Sequence, residues 1–262
     1  MRTTAIPVHH KRAVPVRRKK LLFSHFVEVT LSLALLLGAA VFAVYVPRSS
    51  YFSVQEITFE NQRVLGEADI REAAGITVDD NILFLDVDAV RARVESLPYV
   101  KRCDVVKSIR EKKVHLRIVE RKAAATVMLN NHLFEVDREL VVLRELSPFS
   151  IHSGPLITSL PDVQVLEAGK AIESPELKAA LDLWQAFQTL PFADQLTLSE
   201  LSAESTTQLR MYFEELPYEM RWGRSDFETQ ANRLAILWEE MGGFIPCEYY
   251  LDLRFDANLA CK

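Results

Sequence analysis

Cysteine, glycine and histidine are scarce in this chain, and each shortage removes a class of function. The 262 residues include 3 Cys, 8 Gly and 6 His. Three cysteines are too few for a disulfide-rich scaffold, and no Cys-x-x-Cys or histidine spacing typical of zinc sites occurs. The scattered glycines form no Gly-x-Gly-x-x-Gly motif and no phosphate-binding loop. The sequence therefore predicts neither a bound metal nor a nucleotide cofactor.

The marker motifs of hydrolytic enzymes are absent as well. No serine begins Ser-x-x-Lys or lies in Gly-x-Ser-x-Gly, and no histidine belongs to His-Glu-x-x-His. Asp79 and Asp80 are adjacent carboxylates, but beside Asn81 and before an apolar run they are typical of a turn. The sequence therefore predicts a protein that binds a partner, with no catalytic residues, no cofactor and no small-molecule substrate.

One long apolar run is the strongest feature that is present. Residues 29–46 read VTLSLALLLGAAVFAVYV and contain no charged residue. Extended by Phe26 and Val27, the run is long enough to cross a hydrocarbon core of about 30 Å as a helix. We predict a transmembrane helix at 25–46. A cleaved signal peptide is the alternative, but it would have a shorter apolar region and a small-residue cleavage site.

Charge is distributed unequally on the two sides of this run. The tail at 1–24 contains seven Lys/Arg and no Asp or Glu. Because Lys/Arg-rich flanks stay cytoplasmic, we predict a basic cytoplasmic tail at 1–24 and an outer body beyond the membrane. The body after residue 46 has 24 basic and 35 acidic residues, so nucleic acid and anionic lipid are disfavoured as its partners.

The body begins with a pattern of strands and helices in one small domain, predicted at 51–122. The predicted elements are a strand at 54–59, a helix at 67–74, a helix that begins after Asp86 or Asp88, and strands at 100–107 and 114–119. Gly75 is the expected left-handed cap of the first helix. Pro98 is expected to stop the second.

A second domain, predicted at 123–262, has the pattern of a sheet with helices on one face. Its predicted strands lie at 125–129, 132–136, 140–143, 196–198, 209–213, 218–222 and 249–255. Ser174 followed by Pro175 begins one helix, and Ser225 with Glu228 forms a capping box for another. The predicted fold class is α+β: one N-terminal transmembrane helix, a small domain, and a mixed antiparallel-sheet β domain with flanking helices.

The cysteines leave two possibilities open. Cys247 and Cys261 flank the last predicted strand, so they are the pair that one disulfide would join in an oxidising compartment. Three separate thiols, with Cys103 among them, are the alternative.

Short motifs follow one another in a particular order through both domains. They are Phe59-Glu60-Asn61, 82–86 (ILFLD), 97–100 (LPYV), Val119-Glu120-Arg121, 132–139 (HLFEVDRE), Trp222-Gly223, Arg233-Leu234 and 250–255 (YLDLRF). This combination resembles the POTRA domain and β domain of the FtsQ/DivIB family of bacterial cell-division proteins. The chain departs from the family pattern in three loops. Arg110-Glu111 stands where Trp-Pro is frequent, Ala123 stands near a usual proline, and no glycine follows Glu139.

The resemblance implies a non-enzymatic, single-pass protein of the bacterial inner membrane that acts at the division septum. Such a protein links early and late components of the division complex. Its implied partners are FtsB- and FtsL-like proteins, which would add a strand to the closing strand of the β domain at the edge of its sheet. By motif position the partner-binding residues are Tyr249, Tyr250, Leu251, Leu253, Phe255, Ala257, Asn258 and Leu259. Phe255 is the expected apolar anchor, and completing the domain core is its alternative role.

A second candidate surface lies on a strand of the small domain. It comprises Asp104, Val105, Val106 and Lys107. Two other functions remain open: a POTRA-type chaperone or scaffold of envelope assembly or secretion, and a membrane-tethered cell-wall hydrolase. The chaperone would carry repeated POTRA units or a following β-barrel, and the hydrolase would need a nucleophile or a metal site.

Overall fold

A long N-terminal helix leads into two sheets, each with its own buried core. The computed structural model describes residues 17–147, 150–151, 153–223, 226–255 and 260–262. The predicted basic tail at 1–24 lies outside these residues as far as position 16. The helices and sheets confirm the predicted α+β fold.

The first helix, α1, extends over Arg17–Arg48. Its segment His25–Val46 has the length and apolar composition of a membrane span, and none of it is buried against the rest of the protein. Leu35, for example, is 76% exposed. These bounds match the span predicted at 25–46, and hydrocarbon would cover side chains that water does not stabilise.

The first domain consists of a three-stranded sheet covered on one face by two helices. Its elements are β1 (Glu56–Glu60), α2 (Glu67–Ala74), α3 (Val87–Glu95), β2 (Val100–Ser108) and β3 (Lys113–Glu120). The strand order is β1-β3-β2, with β1 parallel and β2 antiparallel to β3. Alternate residues of β3, Val114, Leu116 and Ile118, are buried in the core. Local signals predicted both helices well, because Asp86 caps α3 and Gly75 closes α2 at φ 60°.

The β domain is built on a mixed nine-stranded sheet. Its elements are β4 (Ala123–Leu129), β5 (His132–Asp137), β6 (Val142–Leu146), β7 (Leu156–Thr158), α4 (Pro175–Phe187), β8 (Leu198–Ser205), β9 (Gln208–Phe213), β10 (Glu219–Trp222), α5 (Phe227–Glu240), β11 (Tyr250–Asp252) and β12 (Ala260–Cys261). The strand order is β12-β11-β10-β9-β8-β7-β4-β5-β6. Phe187 of α4 and Leu234 of α5 pack in the sheet's core, so both helices help to support the strands.

Several strands of the β domain differ from their predicted bounds. The strand predicted at 140–143 begins at Val142, because the Asp137 carboxylate accepts the backbone N–H groups of Glu139 and Val141 and holds a turn there. The strand predicted at 196–198 shares only Leu198 with β8, and β7 was not predicted. Ser225 of the predicted capping box lies outside the described residues, and Asp226 caps α5 by accepting the Thr229 N–H at 3.2 Å.

A two-residue connection joins the domains, and we propose the boundary between 122 and 123. Arg121 donates from Nη1 to Asp137 Oδ2 at 2.7 Å and to Glu139 Oε2 at 2.8 Å, while the Tyr99 hydroxyl donates to Glu135 Oε2 at 2.8 Å. These bonds cross from the start of β2 and the end of β3 into the β domain. The opposite ends of β2 and β3 lie beside the exit of α1, where the Gln55 N–H donates to the Lys112 carbonyl oxygen at 2.8 Å. The first domain therefore separates the anchor from the β domain by the length of β2, roughly 30 Å.

Candidate partner-binding surfaces

The last residues of the chain form the outer edge of the large sheet. Among the described residues β12 is the outermost strand, and it pairs antiparallel with β11. Tyr250 and Lys262 exchange two backbone hydrogen bonds, of 3.1 and 3.2 Å. Because hydrogen-bonded pairs alternate along an antiparallel ladder, the N–H and C=O of Cys261 point away from β11, toward the open side.

This arrangement corrects the predicted position of the closing strand. The strand predicted at 249–255 is the shorter β11, and it is the second strand of the sheet, not its edge. Residues 260–262 run antiparallel to β11 and cover its outer side. A strand of two residues has no alternation long enough to be read from sequence, so β12 was not predicted.

A disulfide joins Cys247 to Cys261 and fixes β12 against the preceding segment. The two Cα atoms are 5.4 Å apart, a separation that a disulfide readily spans. Cys103 is an unpaired thiol buried in the first domain, where burial raises its pKa to about 11. Of the two possibilities for the cysteines, the structure contains the Cys247–Cys261 pair.

The predicted partner-binding residues fall into groups with different exposure. Leu251 and Leu253 are fully buried, so their side chains pack in the core and offer only their backbone to the sheet. Tyr249 is 64% exposed and Phe255 is 46% exposed, one at each end of β11. The Tyr250 ring stacks on the guanidinium of Arg221, with its centroid 3.9 Å from the carbon atom Cζ. Ala257, Asn258 and Leu259 lie outside the described residues.

Arg233 of α5 holds the segment that carries Phe255. Its Nη2 donates to the Leu253 carbonyl oxygen at 3.0 Å, and its Nη1 donates to the Phe255 carbonyl oxygen. Charge-assisted bonds of this kind are stronger than neutral ones. The motif Arg233-Leu234 marked this residue in the sequence, but its role was not predicted, because the partner groups are backbone oxygens some twenty residues further along the chain.

Asp252 and Arg254 form an ion pair at the end of β11. Arg254 donates from Nη2 and Nε to the Asp252 carboxylate at 2.6 and 2.9 Å, and its N–H donates at 3.1 Å. Burial alone would raise the pKa of Asp252, but these hydrogen bonds outweigh burial and lower it. The pair fixes the direction in which the chain leaves the sheet toward Phe255.

The second candidate surface lies on β2, at one edge of the small sheet. Val105 is buried in the core, whereas Val106 is 59% exposed on the other face. Asp104 is paired with Arg102 at 2.8 Å, and Lys107 Nζ donates to the Leu85 carbonyl oxygen at 3.1 Å. The four residues therefore lie at an open edge, but the two charged ones already have partners in the first domain.

The fold and its surfaces together indicate a class of protein. A candidate membrane span, a small strand-helix-helix-strand-strand domain and a mixed-sheet domain with an open edge are typical of a single-pass membrane scaffold. Residues 52–121 match the family described as POTRA domain, FtsQ-type. The first domain is therefore a POTRA domain.

Known relatives align with most of the chain. The cell division protein FtsQ of Syntrophotalea carbinolica is 25% identical over 253 residues, which cover 96% of this chain and 89% of that protein. The FtsQ of Myxococcus fulvus is 25% identical and covers 82% of this chain and 74% of its own length. For the FtsQ of Anaeromyxobacter sp. the identity is 27%, over 78% of this chain and 68% of that protein.

Together with the POTRA match, these relatives support the FtsQ/DivIB family for this chain. The resemblance in the sequence motifs is thus confirmed. These FtsQ relatives support a role in the bacterial division complex, and their names together with the POTRA domain indicate a non-catalytic scaffold. The apolar helix fits a single-pass membrane protein.

Proposed function

We propose that this protein captures FtsB- and FtsL-like division proteins by adding a strand of the partner to the outer edge of β12. The observation that carries the proposal is the open edge, where the Cys261 N–H and C=O point away from β11. An extended partner segment would continue the ladder and satisfy these groups. The proposed receiving strand is β12, whereas the sequence predicted the strand at 249–255.

Two exposed aromatic side chains supply the specificity that a backbone ladder lacks. Tyr249 and Phe255 flank β11, and residues six positions apart on an extended chain are separated by roughly 20 Å. Aromatic side chains are enriched among the residues that dominate binding energy. Phe255 is the proposed apolar anchor, and Arg233 keeps its backbone in place.

The proposed topology has the tail at 1–24 in the cytoplasm and both domains outside the inner membrane, at the division septum. The Lys/Arg-rich flank before the span supports this orientation. The Cys247–Cys261 disulfide supports it independently, because disulfides persist in oxidising compartments outside the cytoplasm. The protein then links early and late division components, with the POTRA domain as the spacer between anchor and partner surface.

The edge of β2 from Asp104 to Lys107 is the proposed second surface, for other membrane proteins of the division complex. It is supported by the exposed Val106 and by the position of β2 with a neighbouring strand on one side only within the described chain. The Glu95 carboxylate accepts the Cys103 N–H at 2.9 Å, which closes the edge before Asp104. By the same alternation the backbone groups of Val105 and Lys107 point away from β3, so a partner strand would pair with these two residues.

Copurification of the partner pair with the full-length protein tests the proposed function. Phe255→Ala should lower partner capture roughly tenfold or more, as expected for an aromatic anchor, and leave the thermal unfolding unchanged. Phe244→Ala is the matched control, because Phe244 is 54% exposed but lies in the loop after α5. Normal capture by Phe255→Ala would contradict the proposal.

Depletion of the protein should give filamentous cells, whereas envelope assembly defects without filaments would favour the chaperone alternative.

A further inference from the structure

The end of the membrane span is bonded directly to the POTRA domain. Asn81 Nδ2 donates to the carbonyl oxygen of Val46, the last residue of the span, at 2.8 Å. The same side chain accepts the Leu83 N–H at 3.0 Å through Oδ1, and the Asn81 backbone forms a bridge with Ser53. The loop at 78–84 therefore lies against the point where α1 leaves the membrane.

The turn between β2 and β3 lies at the same end of the domain. The Lys112 ammonium lies 4.7 Å from the centroid of the Tyr51 ring, which follows α1 in a 3-10 turn at Ser50–Phe52. Lys107 Nζ reaches the Leu85 carbonyl oxygen at 3.1 Å, so the end of β2 lies beside the loop at 78–84. Span exit, loop and turn thus form one end of the POTRA domain.

Three large side chains at this end are exposed, and together they form what we call the membrane-proximal patch. Tyr51 is 68% exposed, Phe84 is 58% exposed and Ile109 is 48% exposed. A bilayer crossed by α1 would have its surface at this same end. Aromatic side chains favour the headgroup level, where an apolar ring and a polar tip are both accommodated.

Charge around the patch is nearly balanced. Asp79, Asp80 and Glu111 carry negative charge, and Arg48, Lys107, Arg110 and Lys112 carry positive charge. A single excess positive charge gives little attraction to an anionic surface. Any contact with lipid at this end is therefore driven by the apolar side chains.

We propose that the membrane-proximal patch inserts into the headgroup region of the leaflet that faces the POTRA domain. The inference rests on α1 crossing the membrane. Asn81 holds the end of α1 against the POTRA domain, and the patch adds a second contact with the bilayer. The POTRA domain is then fixed in its orientation relative to the membrane. The β domain is then held beyond the far ends of β2 and β3, roughly 30 Å from the surface.

Quenching of tryptophan fluorescence by brominated lipids tests the proposal. Full-length Phe84→Trp and Ile109→Trp are placed in phosphatidylethanolamine vesicles, with and without phosphatidylglycerol. The native tryptophans Trp184, Trp222 and Trp238 lie in the β domain and supply the background. Both introduced tryptophans should be quenched several-fold more than a tryptophan at Phe244→Trp, to the same extent in both vesicles.

A further variant separates docking from mere proximity. Adding Phe84→Asp to Ile109→Trp should reduce the quenching at position 109 by a large factor, because a carboxylate does not enter the apolar boundary. Quenching equal to that of Phe244→Trp would overturn the proposal, and so would quenching that requires phosphatidylglycerol. No partner protein is present in this assay, so its failure is independent of strand addition at β12.

Discussion

Glu120 and Arg121 are consecutive in the chain, but Glu120 bonds within the first domain whereas Arg121 bonds to the β domain. The Glu120 carboxylate accepts the backbone N–H groups of residues 63–65 at 3.0 to 3.1 Å. The Arg121 guanidinium instead pairs with Asp137 of the β domain at 2.7 Å. Two adjacent residues thus hold the loop after β1 in the first domain and attach the first domain to the β domain.

Replacing Glu120 should destabilise the POTRA domain. Glu120→Ala leaves three N–H donors without their acceptor, and because water reaches part of this loop we expect a loss of about 1–2 kcal/mol in unfolding free energy. Glu120→Gln keeps an acceptor oxygen and should lose less. Thermal unfolding of the full-length protein in detergent measures both variants. Glu56→Ala is the control, since Glu56 pairs with Lys113 on an exposed surface. Equal effects of the Glu56 and Glu120 variants would contradict this role.

Protonation of Glu135 should lower the free energy of unfolding at acidic pH. Burial raises the pKa of Glu135, but hydrogen bonds from Arg144, Ser153 and Tyr99 outweigh it and bring the pKa below the ordinary 4.5. The unfolded chain then takes up the proton first as pH falls. Stability from this group is complete above pH 4.5 and is lost below it. Glu135→Gln should reduce the slope of unfolding free energy against pH in that range, and an unchanged slope would contradict the assignment.

Ionisation of Tyr99 should lower the free energy of unfolding at alkaline pH. Burial and the hydrogen bond to Glu135 raise the pKa of Tyr99 to about 12, against an ordinary value of 10. Because the folded state keeps the proton, stability falls between pH 10 and about 12, as the unfolded chain ionises. Tyr99→Phe should make this decline shallower. Other buried groups, Cys103 and Tyr218 among them, contribute the remainder.

Opening the Cys247–Cys261 disulfide should release the edge strand. The bridge spans 14 residues, and closing a loop of that length contributes about 3 kcal/mol in the chain-entropy description. The double variant Cys247→Ser/Cys261→Ser should therefore unfold more easily and capture less partner. A reductant should have the same effect on the unmodified protein and none on the double variant. If neither the double variant nor the reductant changes partner capture, the disulfide is not needed to hold β12 for binding.

Arg233→Ala should weaken partner capture without any change in the aromatic anchors. The variant leaves the Leu253 and Phe255 carbonyl oxygens without their charged donor, a loss of about 1.5–3 kcal/mol if no water replaces it. Arg233→Lys supplies one donor and should recover part of the affinity. The control is Arg210→Ala, whose partner Glu204 lies at 3.1 Å on the surface. Equal capture by Arg233→Ala and Arg210→Ala would remove the proposed role.

Features set by neighbours in the chain could be predicted from the sequence. The Asp86 and Ser174 caps, the Gly75 cap and the span at 25–46 each depend on contacts or composition within a few residues. The family motifs also marked Glu120, Arg121 and Arg233 before their contacts were known.

Features set by long-range pairing could not be predicted. β7 has three residues and β12 has two, so neither is long enough for alternation to be recognised. Among the described residues the edge strand is β12 and not β11, because residues 260–261 pair with β11, and residue order does not determine that pairing. The buried side chains of Leu251 and Leu253 likewise follow from the packing of the sheet, not from the motif.

Site-directed photocrosslinking in dividing cells tests the central claim, partner capture at the β12 edge, most directly. A photoreactive side chain is placed in turn at Tyr249, at Phe255, at each position of 257–260 and at 262, so that the Cys247–Cys261 disulfide stays intact. Ile236, which is 59% exposed on α5, is the control. We expect crosslinks to an FtsB- or FtsL-like protein from the edge positions and from Phe255, and none from Ile236. Crosslinks to that protein from Ile236 with none from Phe255, 257–260 and 262 would contradict partner capture at the β12 edge.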